Sequence, residues 1–371
     1  MKQIVICHMT SAHKSNDNRI FQKECTYLAK NPKFSIYLVA RGESRIENGV
    51  KVIGVGRDFV SRLSRITTVC KKIYKTALEV DADIYHFHDP ELLPYALRLK
   101  SKGKIVIFDS HENTSVQISI KPYIPAVIRK IISKMYYKYE TRVCKKIDAV
   151  IFPCPYIGKH PFSNRSKRCI YINNYPILQN NDSNSVNEKV TCCYIGSLSE
   201  NRGVTVLLKA FKKLDVKLIL AGEFESTEYY NILLKDKLLD DVDYRGYCST
   251  SEVNEILEES CIGISNILNI GQYPLIDTFP TKVYEYMNAG LAVIVSDYNF
   301  SNKIVNQYKL GVTIAPDKEQ ELINAVNFMK ENMSLTKRMG ENGKKLIKTS
   351  FNWNIEVNKL VNLYCQCFDN K

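Results

Sequence analysis

At 371 residues the chain is longer than one ordinary core supports and fits two domains of common size. With 45% hydrophobic and 25% charged residues its composition is globular, and no stretch approaches the about 18 apolar residues that a membrane span requires. The net charge of +13 is divided unevenly: residues 1–175 hold 31 Lys and Arg against 14 Asp and Glu, a balance of +17, and residues 176–371 hold 21 against 25, a balance of −4. A basic half of this kind suits nucleic acid, an anionic membrane surface or an acidic substrate.

The opening Met1-Lys2-Gln3-Ile4-Val5-Ile6-Cys7 turns polar too soon for a secretory signal, so the expected location is the cytoplasm. Twelve cysteines are scattered, with only Cys192-Cys193 and Cys365-Gln366-Cys367 close together and no C-x-x-C pair. That pattern suits reduced thiols, several of them in strands, rather than a disulfide frame or a cysteine zinc site.

The first predicted strand is "QIVICHM", followed by a helix from about Asp17 to Lys30. In the segment between and within them, "HMTSAHKSNDNRIFQKECTYLA", His13, Asp17, Arg19 and Lys23 fit two readings: a polar acceptor or pyrophosphate site, or an Asp17-capped helix with Arg19 in a salt bridge. Strands "FSIYLVA" and "VKVIGVG", a helix near 61–80, the strand "ADIYHFHD", a helix near 90–101 and the strand "KIVIFDS" come next. His86, His88 and Asp89 form an H-x-H-D cluster, a possible metal pattern. The Pro90 helix start and the lack of other ligands nearby favour a packed or acceptor-side role, so no metal is expected. His111 stands directly after a strand expected to be central, where a cleft-facing turn gives an imidazole a better claim to function than elsewhere.

Residues 123–146 interleave Arg129, Lys130, Lys134, Lys138, Arg142, Lys145 and Lys146 with Ile, Val, Met and Tyr. Such a helix either presents a solvated outer face or lies on an anionic bilayer; the charge of the same half favours the bilayer. The strand "DAVIFPC" closes this half. Strands alternating with helices, several of them apolar throughout, indicate a parallel sheet covered on both faces.

The polar segment 179–189 is expected as a linker, dividing a domain over 1–178 from a second over 190–350. The alternation restarts with "VTCCYIGS", "VKLILAG", "VDYRGY", "CIGISNI", "LAVIVSD" and "GVTIAP" as strands, and Ser249-Thr250-Ser251-Glu252 opens one of the helices with a capping box. Residues 351–371 form an amphipathic helix beyond this pattern, a candidate to pack back on the first domain.

Ligands of open parallel sheets bind at the carboxyl ends of strands. In "DTFPTKVYEYMNAGLAVIVSD", residues 277–297, Pro280 suits the first helical position and Gly290 the helix end. Asp277 then precedes the helix, and Glu285 sits about one turn inside it, at a natural anion site. There Glu285 is either an ordinary surface carboxylate or a group able to accept two hydrogen bonds from a ribose diol, and Asp277 either a cap or a grip on a sugar hydroxyl. In "YIGSLSENRGVTVLLKAF", residues 194–211, Gly196 permits close ligand approach and Arg202 before a helix suits a diphosphate.

The D-x7-E stretch resembles the E-x7-E region of the retaining family 4 glycosyltransferases of GT-B fold, including their K-x-x-E-Y-M-x-A-G-x-x-V-I-x-S-D continuation. The resemblance implies an α/β fold of two facing Rossmann-like, doubly wound domains with a central cleft. It assigns the ribose contact to Glu285 and the transferred-sugar contact to Asp277, where the family normally has Glu. The 194–211 turn is similar to the family's G-R-L-x-x-x-K-G turn, with Arg202 replacing the diphosphate-binding Lys and Ser197 replacing the Arg. Lys282, with Pro280 and Thr281, is a candidate for the missing positive charge. "LILAGEF" and "VDYRGYCSTSEV" match later strand ends and bring Gly222 and Tyr247 to the donor side. "FDSHEN" resembles the D-x-H-[DE] turn, which places His111 beside the transferring sugar. Residues 8–29 resemble a bacterial polysaccharide-building subgroup, with His13, Asp17, Arg19 and His88 on the acceptor side.

The resemblance thus implies an enzyme that moves a sugar with retention from a UDP- or GDP-linked donor to a glycan or lipid-linked acceptor in surface polysaccharide (capsule or lipopolysaccharide) biosynthesis. No cofactor, metal, nucleic acid or obligate protein partner is expected, and the basic half places the chain at the anionic inner face of the plasma membrane. Two alternatives remain at this level: a sugar-nucleotide 2-epimerase of the same fold, which needs no acceptor, and a basic nucleic-acid binder. The lack of G-x-G-x-x-G after the first strand disfavours a dinucleotide oxidoreductase.

Overall fold

The computed structural model describes residues 3–56, 61–120, 125–178, 190–270 and 273–370, save the side chains at 62, 120, 126 and 127. The chain divides into two compact units, one of Met1–Asn174 with Trp353–Lys371 and one of Tyr175–Asn352. The boundary thus falls four residues before the expected 178, the second crossing comes at 352/353, and the expected linker 179–189 lies outside the described residues.

The first unit is built on β1 (Ile4–Lys14), β2 (Phe34–Arg41), β3 (Arg45–Glu47), β4 (Val50–Gly54), β5 (Ile84–Phe87), β6 (Ile105–Asp109), β7 (Ala149–Phe152) and β8 (Cys169–Tyr171). They form one sheet in the order β3-β4-β2-β1-β5-β6-β7-β8. Every pairing is parallel except that of the edge strand β3 with β4. Neither β3 nor β8 announces itself in the sequence, because each has three residues and shows no buried alternation. The central strands are apolar on both faces, as a sheet covered by helices on both sides requires. Cys7, Met9, Tyr85, Phe87, Val106 and Phe108 pack on one side.

The expected helix after β1 is a π-helical stretch, Asn18–Cys25, continued by an α-helical turn, Thr26–Ala29. Asp17 starts it by accepting hydrogen bonds from the Arg19 and Ile20 amides, both at 2.9 Å. The C-terminal helix Trp353–Asp369 belongs to this unit. It is fastened by Trp353, which is fully buried and donates from Nε1 to the Lys23 carbonyl at 3.0 Å, and by Glu356, which accepts from the Asn173 amide at 2.8 Å.

The second unit carries β9 (Thr191–Ile195), β10 (Lys217–Ala221), β11 (Asp243–Gly246), β12 (Ile262–Ser265), β13 (Ala292–Ser296) and β14 (Gly311–Ile314). All six are parallel in the order β11-β10-β9-β12-β13-β14. Alternate residues supply two cores, Cys192, Tyr194, Leu218 and Leu220 on one face and Cys193, Ile219 and Ala221 on the other. The capping box at Ser249 and Glu252 is formed, opening the helix Thr250–Glu259. The twelve cysteines are all unpaired.

Candidate functional site

In the second unit the turns after β9, β10 and β11 are joined by backbone hydrogen bonds. The Gly196 amide donates to Ala221 O at 2.8 Å, and the Gly222 amide donates to Gly246 O at 2.7 Å. At Gly222 φ is +140°, and a Cβ would lie 1.9 Å from Gly196 O, so only glycine lets these strand ends close up. A second such approach occurs at Gly203 (φ +76°), which precedes the helix Val204–Phe211; a Cβ there would stand 2.1 Å from Asn266 O. The Asn266 amide donates to Gly203 O at 2.9 Å, and this contact holds the turn that ends in Arg202.

The helix Thr281–Asn288 begins beside these turns. Pro280 occupies the capping position (φ −55°, ψ 144°), one place earlier than the sequence suggested, and Thr281 is the first helical residue. Tyr284 braces the preceding loop: its hydroxyl lies 2.6 Å from Thr278 Oγ1 and accepts from the Phe279 amide at 3.3 Å. Tyr286 ties the helix to the sheet, accepting from the Ile195 amide at 2.9 Å.

Lys282, the second residue of the helix, reaches back to β9. Its Nζ lies 3.4 Å from the centroid of the Tyr194 ring, and a Cβ at Gly196 would be 3.3 Å from it. This Nζ is buried and has no hydrogen-bond partner among the described residues. Burial holds the ammonium well below the ordinary lysine pKa, and the Arg202 charge lowers it further. A ring face offers a desolvated cation about 2 kcal/mol or more, but it accepts no hydrogen bond. Two cations, a close glycine turn and the amides of a helix start together make a place for an anion. Glu285 is half-buried in the next turn, whereas Ser197, Asp277 and Tyr247 are exposed. Tyr194 and Asn266 had no motif to reveal them, and Tyr286 stood in the K-x-x-E-Y-M run without a role: all three act through contacts with residues 63 to 91 positions away.

The first unit gathers a different set of groups. Asp109, at the end of β6, accepts from Arg19 Nε at 2.9 Å and Nη2 at 2.8 Å. His111 Nε2 stands 3.5 Å from Asp109 Oδ2 and 3.2 Å from His88 Nδ1. Burial opposes ionisation of Asp109, but the Arg19 charge and the His111 contact outweigh it and hold the carboxyl well below its usual range. His88 is pushed down to about 4 by burial and is neutral at physiological pH. Asp89 accepts from Thr10 Oγ1 at 2.8 Å and from the Ser11 amide at 2.5 Å, and so shapes the end of β1.

Four acceptor-side candidates separate into two pairs. His13 and Asp17 are partly exposed and pair at 3.2 Å. Burial lowers the His13 pKa, but the Asp17 hydrogen bond and the Asp89 charge outweigh it, so the net shift is upward. Arg19 and His88 are interior, 6% and 1% exposed. For these two, of the alternatives the sequence left open, the structure shows the salt-bridged Arg19 and the packed His88 rather than acceptor-side groups, because their polar atoms are directed at Asp109, His8 and His111. Glu24, His8 and Tyr364, which with His86 complete this interior cluster, escape sequence reasoning because they come from segments distant from it in the chain.

Residues 178–346 match the family described as glycosyl transferases group 1, and residues 24–160 match glycosyltransferase family 4. An uncharacterized glycosyltransferase of Methanocaldococcus jannaschii is 25% identical over 182 residues, covering 47% of this chain and 45% of that protein, so the match spans about half of that relative's length. Among solved structures, sucrose-phosphate synthase from Thermosynechococcus elongatus superposes with a TM-score of 0.75 at 14% identity, over 100% of both chains. Anabaena HepE in complex with UDP gives 0.70 at 13% identity, over 98% of this chain and 100% of that one. WaaG, a glycosyltransferase involved in lipopolysaccharide biosynthesis, gives 0.67 at 11%, over 96% and 98%. At these identities the structural likeness is one of fold.

Proposed function

The chain belongs to the family 4-like glycosyltransferases of GT-B fold, and from that premise we propose that it transfers a sugar from a nucleotide-diphosphate donor to a glycan or lipid-linked acceptor. The observation that carries this reading is Lys282 Nζ, buried beside Arg202 and the Gly196 turn without an acceptor of its own among the described residues. A diphosphate supplies that acceptor. Lys282, Arg202 and the first amides of the helix that Pro280 caps, from Thr281 onward, then take up the charge that develops on the leaving group, with no metal needed at this point. Gly196, Ser197, Gly222 and Tyr247 line the donor, Glu285 accepts from the ribose hydroxyls, and Asp277 holds the transferred sugar. HepE was solved with UDP and with UDP-glucose, which supports a UDP-linked donor here; a GDP-linked donor is the other choice.

In the transfer, the bond from the anomeric carbon to the phosphate oxygen breaks with its electron pair going to the phosphate. The acceptor oxygen bonds to the same face of that carbon, and its proton passes to the departing phosphate oxygen, so configuration is retained. His111 supports the sugar by backbone or imidazole, and His13 and Asp17 meet the acceptor. A role in surface polysaccharide assembly fits a chain docked on an anionic membrane from the cytoplasmic side. No helix among the described residues is long and apolar enough to cross a membrane. The helix Ala126–Cys144, however, exposes Ile128, Ile131, Ile132 and Met135, from 39% to 66%. These share its surface with exposed Lys130, Lys134 and Lys138, the arrangement of a helix that lies on lipid.

The deciding experiment is calorimetric titration of the full chain with UDP, GDP, ADP and a short oligonucleotide. Binding of UDP or GDP in preference to the other two is expected. Binding of the oligonucleotide alone would replace the glycosyltransferase reading with the nucleic-acid one. Release of free 2-epimerised sugar nucleotide without acceptor would replace it with the epimerase.

A further inference from the structure

We infer that the first unit holds a structural zinc ion, bound by His8, His86, His88 and Glu24. The proposal begins with strand geometry. His8 on β1 and His86 on β5 are register partners in adjacent parallel strands, and His88 comes two residues later, where the His88 amide continues the ladder to Met9 O. A period of two in a strand puts all three imidazoles on one face of the sheet. Glu24, from the π-helical stretch, projects onto that face, and all four side chains are at most 1% exposed.

One nitrogen or oxygen from each of the four lies within 4.8 Å of the others, close enough to draw in around one ion. His8 Nδ1 and His88 Nε2 are 3.0 Å apart. Glu24 Oε2 lies 3.7 Å from His8 Nδ1, 3.8 Å from His86 Nδ1 and 3.8 Å from His88 Nε2. Metal–ligand bonds of about 2.0–2.2 Å in a tetrahedron put ligand atoms roughly 3.3–3.6 Å apart. The separations from Glu24 are too long for hydrogen bonds, and neither of its carboxylate oxygens has a hydrogen-bond partner among the described residues. Arg19 Nε approaches Oε1 at 3.2 Å, but Oε2 faces the three imidazoles. Arg19 compensates this buried carboxylate on one oxygen only, and a divalent cation among the three imidazoles compensates the other.

The outer contacts fit as well. A ligating histidine ordinarily directs its second nitrogen at an oxygen or another polar group, which fixes tautomer and ring orientation. His8 Nε2 meets the Tyr364 hydroxyl at 3.2 Å, and His88 Nδ1 meets His111 Nε2 at 3.2 Å and Asp109 Oδ2 at 3.6 Å. His86 Nδ1 is held by the same Tyr364 hydroxyl at 2.6 Å, which leaves its Nε2, without a partner among the described residues, as the nitrogen for the ion. Three imidazoles and one carboxylate as donor set select zinc over magnesium or calcium, and full burial closes the shell to water. The ion joins β1, β5 and the first helix, and through His88 it fixes the ring next to His111.

The test is metal analysis of the full chain, purified without chelator, with subsequent replacement by Co2+. One zinc per chain is expected, together with a visible absorption band of tetrahedral cobalt free of sulfur charge transfer. Removal by a strong chelator lowers Tm, and Zn2+ restores it. Glu24→Gln loses the ion, and Tyr364→Phe weakens its retention about 10–100-fold. A chain without stoichiometric zinc that also binds no Co2+ would overturn the proposal. So would a cobalt spectrum dominated by thiolate bands, which would place the metal on the free cysteines, or full occupancy in Glu24→Gln. If that variant fails to fold, the wild-type cobalt spectrum decides alone.

Discussion

In the first unit, Arg19, Asp109, His88 and His111 meet one another in the interior, and each of these side chains has its partner within the same unit. In the second unit, Lys282 lies against a ring and a glycine turn with nothing among the described residues to accept its protons. Both places are buried, yet the Arg19–Asp109–His111 group completes itself, whereas Lys282, like Glu24 in the first unit, is left to be completed from outside. The contrast teaches that burial of charge alone does not mark a ligand site. What marks it is a charge whose partner is missing, on a backbone whose glycines leave room for that partner.

The strongest way to break the second site is through its backbone. Gly222→Ala sets a Cβ against Gly196 O, where φ is +140°, and is expected to cost about 3 kcal/mol, roughly 6–12 °C in Tm. An unchanged melting curve would show that the strand ends are not closed up as described. Next comes Glu285→Ala, which removes the acceptor for the ribose hydroxyls. UDP or GDP binding is expected to weaken about 10–100-fold by calorimetry. Equal affinity in the variant would move the ribose elsewhere.

Lys282→Met sharpens the comparison, because its two effects have opposite signs. Nucleotide affinity should fall about tenfold or more, while the nucleotide-free protein gains about 1–3 kcal/mol from losing an unpaired buried cation. A variant less stable than wild type would mean that Lys282 has a structural partner in the free protein.

The smallest effect is one of pH. Burial and Arg202 lower the Lys282 pKa in the free protein, and a bound diphosphate raises it again. Binding therefore takes up protons between the two values, and affinity falls as pH rises through that window. Titrations in buffers of different ionisation enthalpy read the proton directly, and no uptake would separate Lys282 from the diphosphate.

Much of this was legible without coordinates. Alternating apolar strands and helices dictate two parallel sheets, since a strand buried on both faces leaves no other periodicity. The run from Asp277 to Asp297 and the Gly196 turn announce an anion site, because a helix start and a glycine bend express their chemistry within a few residues. The register of β1 against β5 was not legible. Residues 8, 24, 86, 88 and 364 lie far apart in the chain, and only strand pairing and the docking of the terminal helix bring them together. That is why the sequence left Arg19 and His88 open between acceptor contact and packed interior, and the fold places them in the interior. Local chemistry is written in neighbouring residues, whereas the partner of a buried charge is chosen by packing, which brings together residues that the sequence keeps apart.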